Sequence, residues 1–579
     1  MPEQSRPTPR ARRIPLPPLR QVLRLGSPTD IWHKPALSAV AAVGAVNLTL
    51  LALGRLDLAL YTMAGCLCAL YGHGLPYPAR ARTVAGVAAG TLLSTAVALT
   101  AASLTHSVAA LVVVCAVLAA LHKLACEAGR VGPPGALIVT FTSTTCAFVP
   151  QRLAEVPAHL ALTALGAAVA WLVCMAPALV RPFGPERILT ARALEAAARL
   201  LSGGPDRRPA ARAALAAAVN AARHTLAPAP AAAEPRRQAV AGLQRLLVRS
   251  ESALASTPIH TDTGADTDAD TARRYRGWAR DLRRNRPLPV IELTAAEAAE
   301  LREAAEAAAP TARRPSRWHA LRPGSPLLPI TLRVALGCAA AGWASMAMGV
   351  GRPGWAVVTA ASIYQASAGL SWQRALQRVL GNLLGLLVFT ALLPVSSTGQ
   401  LALVLLALAC NFATEATIAR SYWLASAFVT PMALLMTEFA HYQDARSMVT
   451  DRWLDTCLGA LFGLAACLVV TNRRTSTRLD RALTALLAAT ESARTAVAPA
   501  PPAVAPAPPA VAPAPPAVAA RRRLSHALVE LREAADIASG EWRQRALPQL
   551  PIAQAEREGH GQLAAMLDRR GHESSPACP

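Results

Sequence analysis

The chain has 579 residues, of which 53% are hydrophobic and only 16% charged, with a mean hydropathy of +0.32. Soluble domains carry about 25% charged residues, so this composition excludes a soluble enzyme, a secreted disulfide scaffold, a disordered chain, and a DNA-binding module as the whole protein. The formal charge is +23, and all of the 58 basic residues except Lys34 and Lys123 are arginine.

The first 35 residues are basic, with Arg6, Arg10, Arg12, Arg13 and Arg20. They contain no apolar core of the kind a secretory signal needs. Two long apolar blocks follow at 36–180 and 327–471, with a polar stretch between them and a polar tail after them. Arginines avoid the blocks and crowd their flanks, which places the flanks and both termini on the cytoplasmic side of a cell membrane. No aromatic and basic interleaving accompanies them, so nucleic acid is not an expected partner. Ten of the 11 cysteines lie in or at the edge of the apolar blocks without metal-ligand spacing. Buried free thiols are the expectation, with no disulfides, metal or cofactor.

A membrane helix needs about 20 mostly apolar residues. The first block divides into candidate spans at 36–54, 56–71, 83–102, 108–124, 134–149 and 158–180. The second divides at 327–348, 355–367, 375–393, 401–418, 422–440 and 453–470. The second and fifth spans of each block are short, a pattern that suggests broken helices lining a cavity. The blocks also echo each other: Gly54-Arg55 with Ala59 and Thr62 recurs as Gly351-Arg352 with Ala356 and Thr359, and Gly90 with Leu92-Leu93 recurs as Gly381 with Leu383-Leu384. The fold class expected is an all-α polytopic membrane protein of about twelve spans, built as two parallel six-helix repeats with a helical cytoplasmic domain and tail.

The polar domain, 181–326, reads as amphipathic helices at 186–201, 208–225, 236–255 and 294–308, with a solvated acidic loop at 260–270. Asp266, Asp268 and Asp270 there lack the glycine and final glutamate of a calcium loop. In the tail, 472–579, helices are expected at 475–497 and 521–545. A threefold Ala-Pro-Ala-Pro-Pro-Ala-Val repeat makes 498–519 an extended spacer.

The chain carries no P-loop, Gly-x-Ser-x-Gly or His-Glu-x-x-His motif, so the reading is of a non-enzyme. Ionisable groups inside apolar spans are costly and point to function. Arg333 sits about 9 Å into the first span of the second block. Arg374 and Arg378, four residues apart, share a helix face. These three arginines are the candidate substrate-binding groups for an organic anion, with snorkelling and inside anchoring as the competing readings for them. Glu415 and Asp455 are candidate proton-coupling carboxylates, against local ion pairs with Arg420 and Arg452.

The second block reads Gly351-Arg-Pro-Gly-Trp355-Ala, then Arg374-Ala-Leu-Gln-Arg378-Val-Leu-Gly381-Asn-Leu-Leu-Gly385, then Arg452-Trp-Leu-Asp455-Thr. This resembles the fusaric-acid-resistance-like (FUSC) family within the aromatic acid exporter superfamily, and more distantly plant anion channels with an arginine-lined pore. The first block is less similar, with Leu58 in place of the tryptophan and no acid at the start of its last span. The resemblance implies a plasma-membrane efflux permease for aromatic carboxylic acids or similar organic anions, working as a secondary transporter. It assigns Trp355, Gly381, Gly385 and Arg452 to the family motif. An anion channel and a non-transporting membrane scaffold remain as alternatives, and the sequence leaves homo-oligomerisation open.

Overall fold

The computed structural model describes residues 22–26, 30–226, 234–254, 262–294, 327–365, 367–439, 444–470, 474–497, 517–539 and 549–573, with the single positions 297, 298, 301 and 325. Among these residues the chain is helical, without a strand.

The first apolar block folds into α1 (His33–Ala52), α2 (Ala59–Cys66), α3 (Tyr77–Leu104), α4 (Val108–Ala128), α5 (Leu137–Ala147) and α6 (Val156–Met175). The second folds into α11 (Leu328–Ala347), α12 (Pro353–Ile363), α13 (Ala368–Ser396), α14 (Gln400–Ile418), α15 (Tyr422–Thr437) and α16 (Ala445–Val469). Eight of these are long and apolar enough to cross a membrane; the shorter apolar helices are Leu56–Leu70, Leu137–Ala147, Pro353–Ile363 and Tyr422–Thr437. The chain is therefore a multi-pass membrane protein. The short helices are the second and fifth of each block, as the sequence indicates. Leu56–Leu70 is interrupted, with 3₁₀ turns on either side of α2.

Local chemistry sets the boundaries. Ser107, Ser367 and Asp444 cap α4, α13 and α16 by accepting a hydrogen bond from a first-turn backbone N–H. Proline opens α3, α6, α11 and α12, where its missing N–H costs nothing.

Helix neighbours correspond between the blocks. α2 packs on α6 as α12 packs on α16, and α3 lies on α5 as α13 lies on α15. Across the blocks, α4 packs on α11 while α14 packs on α1.

The polar stretch forms α7 (Gly184–Leu201), α8 (Arg208–Thr225), α9 (Glu234–Glu251) and α10 (Asp262–Arg283). The tail forms α17 (Arg474–Val497), α18 (Ala517–Ser539) and α19 (Gln549–Glu573). These seven helices share one apolar core, with Leu194, Leu215, Leu243 and Leu282 packed alongside Leu486, Leu524, Leu531 and Leu563. Glu251, 1% exposed, lies between Arg223 of α8 and Arg521 of α18 and ties the two sequence segments together.

Three expectations need correction. The acidic stretch 260–270 is not a loop: from Asp262 onward it is the first part of α10. Arg280 and Arg283 in its last turn complement the negative end of the helix dipole. The last residues of the proposed spacer, 517–519, already belong to α18, and 498–516 lie outside the described residues. A third tail helix, α19, had no counterpart in the sequence reading, because its apolar positions are sparse. The helix expected at 294–308 falls almost wholly outside the described residues.

Candidate anion site in the second apolar block

The site is built on α13, α15, α12 and α16. α13 can approach α15 closely because of Gly381 and Gly385. A Cβ on Gly385 would lie 2.9 Å from the carbonyl oxygen of Ala427 and 2.7 Å from Cβ of Thr430. One on Gly381 would collide with the carbonyl of Trp423. Pro431 sits inside α15 and has no N–H to offer the carbonyl four residues back, which is that of Ala427. The glycine face of α13 therefore packs onto a carbonyl that has lost its helical partner. Asn382 seals the same seam by accepting a 2.9 Å hydrogen bond from Thr430 Oγ1.

This contact places Arg374 and Arg378 beside α15. Connectivity then fixes the ends. α13 and α15 begin, and α14 finishes, at one end of the bundle; α12 and α16 begin at the other. Arg374 lies near the first end, with its guanidinium carbon 3.2 Å from the ring centroid of Tyr422. Arg452 lies towards the opposite end, with its guanidinium 3.9 Å from the ring centroid of Trp355. Arg378 stands between them, about 6 Å further along α13 than Arg374 at the usual helical rise. Its charge is felt by Arg374, Tyr422 and Arg452.

Arg378 and Arg452 are buried, 3% and 1% exposed, and Arg374 is half-buried. Nε of Arg374, Nε of Arg378, and Nε and Nη1 of Arg452 have no hydrogen-bond partner. An aromatic face attracts the flat side of a guanidinium, but it does not take up N–H groups lying in the guanidinium plane. Two cations held this way, Arg374 and Arg452, with Arg378 between them and Nε unmet on all three, form an arrangement suited to an oxyanion. Nδ2 of Asn382, on a buried residue, also lacks a partner, while the Tyr422 hydroxyl lies beside those of Ser362 and Ser426.

Asp455 is fully buried one turn from Arg452 on α16. It does not pair with that arginine; its Oδ1 accepts a 2.5 Å hydrogen bond from Ser345 of α11, and its Oδ2 is unpartnered. Glu415 is half-buried on α14 and makes no ion pair with Arg420. Arg333 is buried near the start of α11, where its Nε donates to the carbonyl of Val470 at the end of α16. The structure thus gathers Arg374, Arg378, Trp355, Arg452 and Asp455 along one seam and sets Arg333 and Glu415 elsewhere. Tyr422 and Ser345 were missed by the sequence reading, since nothing local links either to a partner 48 or 110 residues away.

The first block has no equivalent cluster. Its one buried arginine among the described residues, Arg80, is satisfied by backbone: it donates to the carbonyls of Gly72 at 3.0 Å, His73 at 2.7 Å and Cys174 at 3.3 Å. Thr91, Ser94 and Thr95 on α3, and Thr140, Ser143 and Thr144 on α5, make the matching seam neutral and polar.

The chain is 30% identical over 174 residues to the "Uncharacterized membrane protein YvaC" of Bacillus subtilis (strain 168), a match covering 29% of this chain and 27% of that one. The chain therefore aligns with little more than a quarter of the length of that relative. No solved structure matches. A family model described as "Fusaric acid resistance protein-like" matches residues 338–466. That span holds every member of the arginine seam and leaves out Arg333, so the second apolar block of this membrane protein carries a fusaric acid resistance protein-like segment.

Proposed function

We propose that the protein is an efflux permease for organic anions, aromatic carboxylates foremost, acting as a secondary transporter in the plasma membrane. The observation that carries this reading is the row of Arg378 and Arg452, both buried, with the half-buried Arg374 beside them; Nε of each, and Nη1 of Arg452, have no hydrogen-bond partner. A buried charge without a partner is costly, and a bound carboxylate meets that cost while the aromatic faces of Tyr422 and Trp355 hold the guanidinium planes in place.

The reading extends to architecture. Two six-helix repeats related by an axis along the membrane normal account for the paired helix neighbours and for the positive-φ glycines that follow α1 and α11, Gly54 at +64° and Gly349 at +71°. Each repeat has an even number of spans, so the polar domain and both termini lie on one side, the cytoplasm. Only the second repeat recognises charge; the first supplies a neutral wall. Asp455, and Glu415 at a distance, are the carboxylates available for proton coupling.

The test is flux of labelled benzoate from proteoliposomes holding the full chain, with and without a pH gradient. Unmodified protein moves benzoate, and the pair Arg378→Gln with Arg452→Gln reduces this roughly a hundredfold, the scale of losing two charge-assisted contacts. Equal flux from the double variant rejects the site. Flux carried as single-channel current without gradient coupling identifies a channel instead.

A further inference from the structure

The segment Val22–Gly26 lies at the end of the second bundle where α13 and α15 begin. Three hydrogen bonds fix it there. Nε2 of Gln377 donates to the carbonyl of Val22 at 2.9 Å, Nε1 of Trp423 donates to that of Leu23 at 3.4 Å, and the N–H of Gly26 donates to the carbonyl of Arg420 at 2.8 Å. Val22 is fully buried. Gly26 rests so closely that a Cβ there would stand 3.1 Å from the Arg420 oxygen.

The three anchors are not scattered. Gln377 is one turn beyond Arg374 and adjacent to Arg378 on α13; Trp423 follows Tyr422, whose ring Arg374 covers; Arg420 is in the turn between α14 and α15. The strap thus bridges the helix ends that frame the Arg374–Tyr422 pair. A short way along the chain, before α1, Asp30 is gripped by two helices of the polar domain. Arg192 of α7 pairs with it at 2.5 Å and Arg283 of α10 at 2.6 Å.

Resting on the anion-permease reading, we infer that Val22–Gly26 is a gate that closes the Arg374 end of the arginine seam, and that the polar domain holds it through Asp30. An anion reaches or leaves Arg374 at this end only when the strap lifts. α7 and α10 grip Asp30, four positions after Gly26 in the sequence, so the polar domain holds the chain next to the strap. The polar domain then acts as a regulator of access without touching the anion.

The experiment locks and loosens the strap in the full chain. Val22→Cys together with Gln377→Cys is oxidised to a disulfide in proteoliposomes, with the bond verified by mass spectrometry, and benzoate flux is measured before and after reduction. The inference expects flux in the oxidised state to fall roughly tenfold or more and to return on reduction, as for any obligatory gate. Each single-cysteine variant serves as control and is unaffected by oxidation. In an independent arm, Gly26→Val pushes the strap from the Arg420 carbonyl and raises the initial rate; Asp30→Asn does the same by freeing the strap from the polar domain. A verified disulfide that leaves flux unchanged overturns the gate while leaving the permease reading intact. Unmodified protein that moves no benzoate removes the permease reading and the gate with it.

Discussion

The guanidinium of Arg452 lies 3.9 Å over the ring of Trp355, and the carboxylate one turn along the same helix, Asp455, faces away from it to Ser345. An arginine and an aspartate three residues apart would ordinarily pair; here each is committed to a different helix. The arginine is left with Nε and Nη1 unpartnered at the meeting of α12, α11 and α16.

Removing the aromatic platform should therefore weaken anion handling without unfolding the bundle. Trp355→Leu keeps an apolar side chain at the position but loses the ring that orients Arg452. The expected result is a rise of about tenfold in the benzoate KM, equivalent to about 1.4 kcal/mol and within the range of buried cation–π contacts. Trp355→Phe should recover most of the loss. Thermal stability of the purified protein distinguishes this from misfolding.

The close approach of α13 to α15 predicts a sharp size limit at Gly385. Gly385→Leu would drive a side chain into the Ala427 carbonyl and Thr430. Overpacking of this kind costs about 1–3 kcal/mol, and the variant should show a lowered melting temperature in detergent. Gly86 on α3, where an added Cβ meets nothing within 4 Å, should accept alanine with no loss.

Glu251 predicts how firmly the tail is held. Glu251→Leu leaves Arg223 and Arg521 facing an apolar side chain in a region where Glu251 and Arg521 are nearly inaccessible. Breaking a buried ion pair by removing one partner costs about 3–5 kcal/mol. Limited proteolysis should then release α17–α19 under conditions where unmodified protein is resistant.

The Asp30 clamp carries a pH dependence with a definite sign. Burial pushes the Asp30 carboxyl upward, but hydrogen bonds and charges from Arg192 and Arg283 outweigh it and bring the group below its ordinary 3.8. A carboxylate with a lowered folded-state pKa contributes its full stabilisation above the unfolded value. The clamp should hold from neutral pH down to about 4, begin to weaken below 3.8, and be lost as pH falls through the lowered value. Asp30→Asn should abolish this acid step while costing about 2 kcal/mol at neutral pH, the scale of a charge-assisted hydrogen bond. Hydrogen exchange on α7 and α10 across the pH series reads both effects.

Much of the site was legible in the sequence, because intramembrane charge is rare enough to stand out. Arg374 and Arg378 share a face by spacing alone, Asp455 stands at the start of an apolar span, and Arg452 just before it belongs to the motif that carries the family resemblance. The seam that unites them was not legible. It depends on α13 reaching α15 over Gly381 and Gly385, on α16 reaching α12, and on Tyr422 lying under a guanidinium 48 residues away, none of which leaves a local pattern. Arg333 shows the opposite case. Its depth in an apolar helix marks it as clearly as the others, yet its Nε donates to the Val470 carbonyl, apart from the seam. The acidic stretch 260–270 was misread because polarity resembles a loop, although from Asp262 onward it is helical. α19 escaped because its few apolar residues are spaced too widely to suggest a buried face.

The shared core of the polar domain has a consequence for biogenesis. Half of it is synthesised before the second membrane block and half after, so the ribosome must deliver six more apolar helices between the two halves. Until α17–α19 emerge, the leucines of α7–α10 have no lid, and an exposed apolar face of that kind invites aggregation. Nascent chains stalled before residue 474 should recruit holding chaperones, and completion of translation is what releases them.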